Sequence, residues 1–242
     1  KYQPWNSVNM GPKKDLLAGW AKAAKNNGLP FGISIHASHA WTWYEGSQDF
    51  DGNLTCKDGV GKWWEGYDPQ DLYAQNHPRS VGSNNISNIH KQWNWGNGAS
   101  QPSEEYCNNI YNRTIDAINK YNPDLIYFDD AVLPFYPINN VGPRIAAHAY
   151  NKSLKENGSQ KTVILGKVLN EAQKECMVWD IERGIPDRIQ EKPWQTCTCI
   201  GTWHYERSFY DNNRYKSAKT VIHMLIDIIS KNGNLLLSVP MR

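Results

Sequence analysis

The chain carries almost no net charge: 26 Lys and Arg oppose 24 Asp and Glu, a formal +2 over 242 residues. A partner held by bulk electrostatics, whether nucleic acid or a membrane surface, is therefore not expected. No apolar run approaches the ~18 residues of a membrane-spanning helix. No segment joins a basic start, an apolar stretch and a small-residue cleavage site, so no signal peptide is expected in these residues. There is no glycine-rich dinucleotide fingerprint, no P-loop and no Gly-x-Ser-x-Gly elbow, which sets aside the usual nucleotide-binding and serine-hydrolase readings. Cysteine is sparse and odd in number: Cys56, Cys107, Cys176, Cys197 and Cys199. At least one thiol must lack a partner within the chain. Cys197-Thr-Cys199 lacks the two-residue spacing of a zinc knuckle, so structural zinc is not expected.

Phenylalanine is scarce as well, at 5 residues against 11 Trp and 13 Tyr. Trp and Tyr pair a flat apolar face with a polar handle, which suits a cleft that stacks on the C–H faces of sugars as well as it suits a half-wet core rim. Asn53, Asn85, Asn112, Asn151 and Asn157 each begin an Asn-x-Ser/Thr sequon, which permits a secreted location without establishing one; a secreted or periplasmic, lysosome-like or extracellular location is the expectation.

Along the chain, apolar runs alternate with amphipathic stretches. Leu16, Leu17, Trp20, Ala23 and Ala24 share one face of a helix from Pro12 to about Asn27, and Asn27-Gly28 ends it. Helices are also expected over 104–121, 142–157 and 216–231, the last with Val221, Ile222, Leu225, Ile228 and Ile229 inward. Strands are expected over 31–36, 125–128, 162–165, 177–181 and 234–239. Their continuous apolar character indicates a parallel sheet covered on both sides. Residues 37–104 are rich in Trp, Gly, Asn, Asp and Pro without a sustained period, and are expected to form a long functional loop with short elements. With no linker in sight, residues 1–242 read as a single domain. His36, Asp129 and Glu182 fall at C-terminal strand ends, which favours a (β/α)8 TIM-like barrel, the fold whose chemistry sits on that rim.

Three clusters carry candidate chemistry. Asp129-Asp130 follows a buried strand, where a carboxylate is costly unless hydrogen-bonded or used; the alternative is a helix cap or a surface acid. In Trp179-Asp-Ile-Glu-Arg183, Asp180 and Glu182 point to one side of a strand; the alternative is a rim salt bridge. Two acids on the rims of different strands meet the requirement of glycoside hydrolysis, in which one attacks and the other donates and then accepts a proton. Trp179 and Trp203 are candidates for the apolar surroundings that would raise the acid's pKa. The stretch His36-Ala-Ser-His39-Ala-Trp41-Thr-Trp43-Tyr44-Glu45 places two His and three aromatics within ten residues, for sugar contact, for structure or for a metal; no third ligand is evident nearby. Trp63, Trp64, Trp93 and Trp95 either wall the cleft or form the loop's own core.

Four segments carry a family likeness: Trp5-Asn-Ser-Val-Asn-Met-Gly-Pro-Lys-Lys-Asp15, Gly28-Leu-Pro-Phe-Gly32, Tyr121-Asn-Pro-Asp-Leu-Ile-Tyr-Phe-Asp129 and Ile229-Ser-Lys-Asn-Gly-Asn-Leu-Leu-Leu-Ser238. In these the chain resembles the catalytic domain of the glycoside hydrolase family 29 α-L-fucosidases. The resemblance implies a retaining, exo-acting hydrolase on a (β/α)8-like barrel that uses no metal or cofactor. Its partner would be a fucosylated oligosaccharide or glycoconjugate. Asp129 falls on the family's nucleophile and Glu182 on its acid/base, with Glu171 a rival and Glu175 a more distant one. Their carboxyl groups would then stand ~5–5.5 Å apart. Tyr127 and Trp203 fall on pocket aromatics, and His36, His39, Trp41, Trp43 and Asp130 are expected around the sugar. The chain departs from the pattern in having Asp130 where most members have Gly. Lys1 lies almost at the Trp5 segment, so the first barrel strands, which carry the family's paired histidines, and the C-terminal β-sandwich are expected to be absent. The barrel is expected to be incomplete at its N-terminus, with open edges. Hydrolysis of α-L-galactosides and non-catalytic binding of fucose or a glycan are the alternatives.

Overall fold

A computed structural model of the chain describes residues 2–74 and 76–240, which divide after Ile164 into two compact units. In the first unit, α1 (Leu16–Asn26) starts where the Asp15 carboxylate accepts a hydrogen bond from the Ala18 amide at 2.9 Å. It leads into β1 (Gly32–Ile35). After a long excursion, α5 (Glu104–Tyr121), β2 (Leu125–Phe128) and α6 (Val141–Asn157) follow. The Ser103 hydroxyl caps the start of α5, and Asn122 ends it with a left-handed backbone (φ 48°). β1 and β2 pair in parallel from Gly32–Leu125 to Ile35–Phe128. The start of β3 (Val163–Gly166) continues beside β2, with the Val163 amide donating to the Asp124 carbonyl at 2.8 Å. Ile126 and Phe128 are fully buried, and α5 packs on α6, with Ile110 and Ile118 of the one and Ile145 and Ala149 of the other buried.

The excursion between β1 and α5 is a long loop with short elements, as expected. It holds α2 (Ala40–Trp43), α3 (Pro69–Tyr73), α4 (Ile86–His90) and two short 3₁₀ turns. Trp41, Trp64 and Trp95 are buried within it, and so is a carboxylate, Glu45, which accepts from the Ser80 amide (2.9 Å) and hydroxyl (2.7 Å). A buried acceptor met by two donors ties residues 45 and 80 together within the loop.

In the second unit the end of β3 pairs with β4 (Val178–Glu182). Between those strands lies α7 (Glu171–Lys174). β5 (Trp194–Cys199), α8 (Arg207–Asp211), α9 (Ala218–Ser230) and β6 (Gly233–Ser238) complete it. β4, β5 and β6 are all parallel. The fold is thus α/β with parallel strands in chain order, six among the described residues. No helix among the described residues is long and apolar enough to cross a membrane.

Two helices depart from expectation. The apolar face of α1 is open, with Trp20 68% exposed, and on α9 only Ile228 is buried while Ile222, Ile226 and Ile229 face outward. Their periodicity is helical as read, but no element of the same unit covers them. β5 also went unforeseen. Trp194-Gln-Thr-Cys-Thr-Cys199 is not a continuous apolar run, although every residue of it except Gln195 is buried.

Candidate active site

In the first unit the candidate residues gather at the C-terminal ends of β1 and β2. The Asp129 amide donates to the Ile35 carbonyl at 3.1 Å, extending the ladder by one residue and fixing where the acid leaves the sheet. Its carboxylate stays partly open to solvent, and His36 Nδ1 lies 3.3 Å from its Oδ2. Tyr127, two residues back on β2, projects from the same face of the strand and is buried. Asp130 has the opposite environment: it is 1% exposed, and the Ser38 hydroxyl donates to its Oδ1 at 2.5 Å.

His39 stands over this pair. Its ring is nearly parallel to Trp95 (centroids 4.6 Å apart) and Trp43 (5.6 Å), and edge-on to Trp93 (4.9 Å). Burial, with nearby His36 adding to it, lowers its pKa to about 4. The ring is therefore neutral near pH 7, and its 3.9 Å approach to Asp130 is a dipolar contact, not an ion pair. His36 in turn meets the Trp43 ring at 4.6 Å. Trp41 faces another way: it stacks on His77 at 3.8 Å and donates its indole N–H to Ser100.

In the second unit, Glu182 ends β4 with its carboxylate roughly two-fifths exposed, and accepts from the Lys167 ammonium at 2.7 Å. Arg183 follows in the left-handed region (φ 54°), its amide bonded to the Cys197 carbonyl. Its guanidinium lies 4.6 Å over the Trp203 ring. Asp180, on the same strand face as Glu182, is buried and held by Gln195 (2.8 Å) and the Cys197 thiol (3.1 Å). Trp179 alternates to the other face, beneath Lys174, in a groove that also contains Glu171 and Glu175. Glu171 is hydrogen-bonded by Lys174, which holds its carboxyl below the usual range.

Sequence reasoning did not single out Ser38 or Lys167; Trp93 and Trp95, left between cleft wall and loop core, both lie against His39. Ser38 lies inside the His36–His39 stretch and was open to notice there. Lys167 had no signal, because its approach to Glu182 depends on how β3 pairs with β4. Among the described residues no three His, Cys, Asp or Glu side chains gather as a metal site.

Acids carried just past the ends of parallel strands, with aromatic and histidine rings around one of them, place this chain among the α/β proteins that present carboxylates at a strand rim. A family model described as alpha-L-fucosidase matches residues 1–242, and the chain belongs to that family. Among solved structures it is similar to Thermotoga maritima alpha-fucosidase, at 20% identity and a TM-score of 0.61. It is likewise similar to that enzyme with a mechanism-based inhibitor (20%, 0.60) and with fucose (19%, 0.58). Each likeness covers all of this chain but 43% of the other, so the chain spans less than half the length of these structures. No curated protein matches it.

Proposed function

We propose that the chain carries catalytic residues of a retaining glycoside hydrolase that releases terminal α-L-fucose from oligosaccharides or glycoconjugates, and that it forms part of a (β/α)8-type barrel. The observation that carries this reading is the split between two adjacent acids. Asp129 is reachable and touched by His36; Asp130 is sealed and spent on Ser38. Asp129 is then the nucleophile that attacks the anomeric carbon, and Asp130 fixes the loop bearing His36 and His39. His36, Trp43 and Tyr127 are assigned to the sugar. Glu182 is the proton donor that afterwards activates water; Trp203 lies under the guanidinium of the next residue, Arg183. Glu171 suits that task less well, since it sits on α7 in the groove on the Trp179 side of β4, the strand face opposite to Glu182. Thermotoga maritima alpha-fucosidase has been crystallised with fucose, which supports the choice of sugar. Exposed sequon asparagines such as Asn53 and Asn151 support a location outside the cytoplasm.

The test is hydrolysis of an aryl α-L-fucoside. The parent chain should turn over with α-L-fucose as the first-formed anomer by NMR. Asp129→Ala should lower the rate by about 10³-fold or more, the scale on which loss of a nucleophile is felt. Glu182→Gln should slow substrates with poor leaving groups more than those with good ones. A parent chain that binds fucose without cleaving it would support the non-catalytic alternative, and an Asp129→Ala variant with parental rate would end the assignment.

A further inference from the structure

On the far side of the His36–Trp41 segment lies a cavity of about 480 Å³ that the proposed reaction does not use. Ala37, Ala40 and Trp41 line it, so the segment whose His36 and Ser38 contact the two aspartates is also a wall of this second space. Trp5 and Tyr106 add aromatic walls. The Tyr106 hydroxyl donates to the Ala37 carbonyl at 2.6 Å, and the Trp5 indole donates to the Asp68 carbonyl at 2.8 Å, so both rings are held in place.

The charged groups on the cavity are unequally disposed. Arg113 of α5 is half-buried, forms no hydrogen bond or ion pair among the described residues, and has its pKa lowered first by burial. Desolvating a guanidinium without giving it an acceptor is costly. Asp71 and Glu105 also line the space, but both are exposed and neither pairs with the arginine. Glu105, Asn109 and Arg113 follow at four-residue intervals along one face of α5. The arginine therefore lies ~12 Å along the helix axis from the glutamate. Asn109, between them, donates to the Tyr2 carbonyl.

We propose that this cavity is a second saccharide site, which takes a sugar unit bearing a carboxylate or a sulfate ester, with Arg113 as its charge partner. The planar guanidinium fork matches either oxyanion with two parallel hydrogen bonds. The indole and phenol walls pack against the sugar's apolar face, which a free inorganic ion would leave uncovered. The site stands apart from the assignment of Asp129, and an inactive or unaffected Asp129→Ala variant would leave it untouched.

The experiment is calorimetric titration of the 242-residue chain with methyl β-D-glucuronide, glucose 6-sulfate, neutral methyl β-D-glucoside and inorganic sulfate. At least one of the two anionic sugars should bind, and which one does identifies the oxyanion. Arg113→Gln should weaken it about tenfold or more, as loss of a hydrogen-bonded charge does, and Arg113→Lys should weaken it less. NMR of the unmutated chain guards against a variant that fails to fold: the Trp5 and Trp41 indole N–H signals should shift with the anionic sugar and not with the neutral one. Unmoved indole signals, equal binding of the neutral sugar, or inorganic sulfate bound as tightly as the sugar would each overturn the proposal.

Discussion

Asp129 keeps access to solvent while Asp130, one peptide further on, is sealed beneath Ser38, and the difference follows from the chain turning off the end of β2. The first acid still follows the strand's pleat; the second folds back under the loop that leaves β1. Removing the Ser38 hydroxyl leaves a buried carboxylate oxygen short of its donor. Ser38→Ala should therefore destabilise the chain by about 1–3 kcal/mol in urea unfolding, with Asp130→Asn partly restoring the loss. His39 adds a dependence on acidity. Its pKa falls from about 6.5 unfolded to about 4 folded. The unfolded state then binds the extra proton between those values, so stability from this ring is complete above pH 6.5 and lost as the pH falls toward 4. From pH 7 to pH 5 the chain should lose about 2 kcal/mol through this group. Urea midpoints at the two values measure it, and a His39→Gln variant should show a correspondingly shallower drop.

At the scale of elements, what was legible followed one kind of signal. Continuous apolar runs such as Leu125–Phe128 and caps such as Ser103 mark strands and helices because burial and capping act locally. β5 escaped for the opposite reason. Thr196, Cys197, Thr198 and Cys199 are buried on a strand that pairs with β4 on one edge and β6 on the other, a central place set by topology rather than composition. The same holds for the site. The Asp129 motif and the His36–His39 stretch could be read in order, whereas Lys167 meeting Glu182 required the pairing of Gly166 with Trp179. Residues 37–104 read as a loop with short elements, and they hold short helices and turns; their core, a buried glutamate and scattered indoles, is announced by no period. β5 and β6 also fix a testable contact. A Cβ on Gly233 would overlap the Trp194 ring and come within 2.9 Å of Ile228 Cγ2. Gly233→Ala should cost about 1–3 kcal/mol by overpacking. Combining it with Trp194→Phe should cost less than the sum of the two single changes, a coupling that a double-mutant cycle reads directly.

For the molecule as a whole, each unit leaves one apolar helix face without a cover. The first exposes Leu16, Leu17 and Trp20 of α1; the second exposes Ile222, Leu225, Ile226 and Ile229 of α9. Among the described residues β1 pairs only with β2 and β6 only with β5, so each has an unpaired edge close to an uncovered helix in its own unit. Apolar patches of this kind are association surfaces, and free strand edges are templates for pairing. With a net charge of +2, repulsion between copies opposes contact only weakly. The isolated 242-residue chain should therefore bind a hydrophobic dye in its folded state and sediment as concentration-dependent oligomers. Trp20→Lys and Ile226→Lys, each on an exposed position, should together reduce dye binding and shift the distribution toward monomer without lowering the melting temperature. A chain that sediments as a monomer at every concentration and leaves the dye dark would show that these faces are covered in solution by a rearrangement within the chain. The double-lysine variant would then be the less stable of the two, because its charges would be forced into an apolar interior.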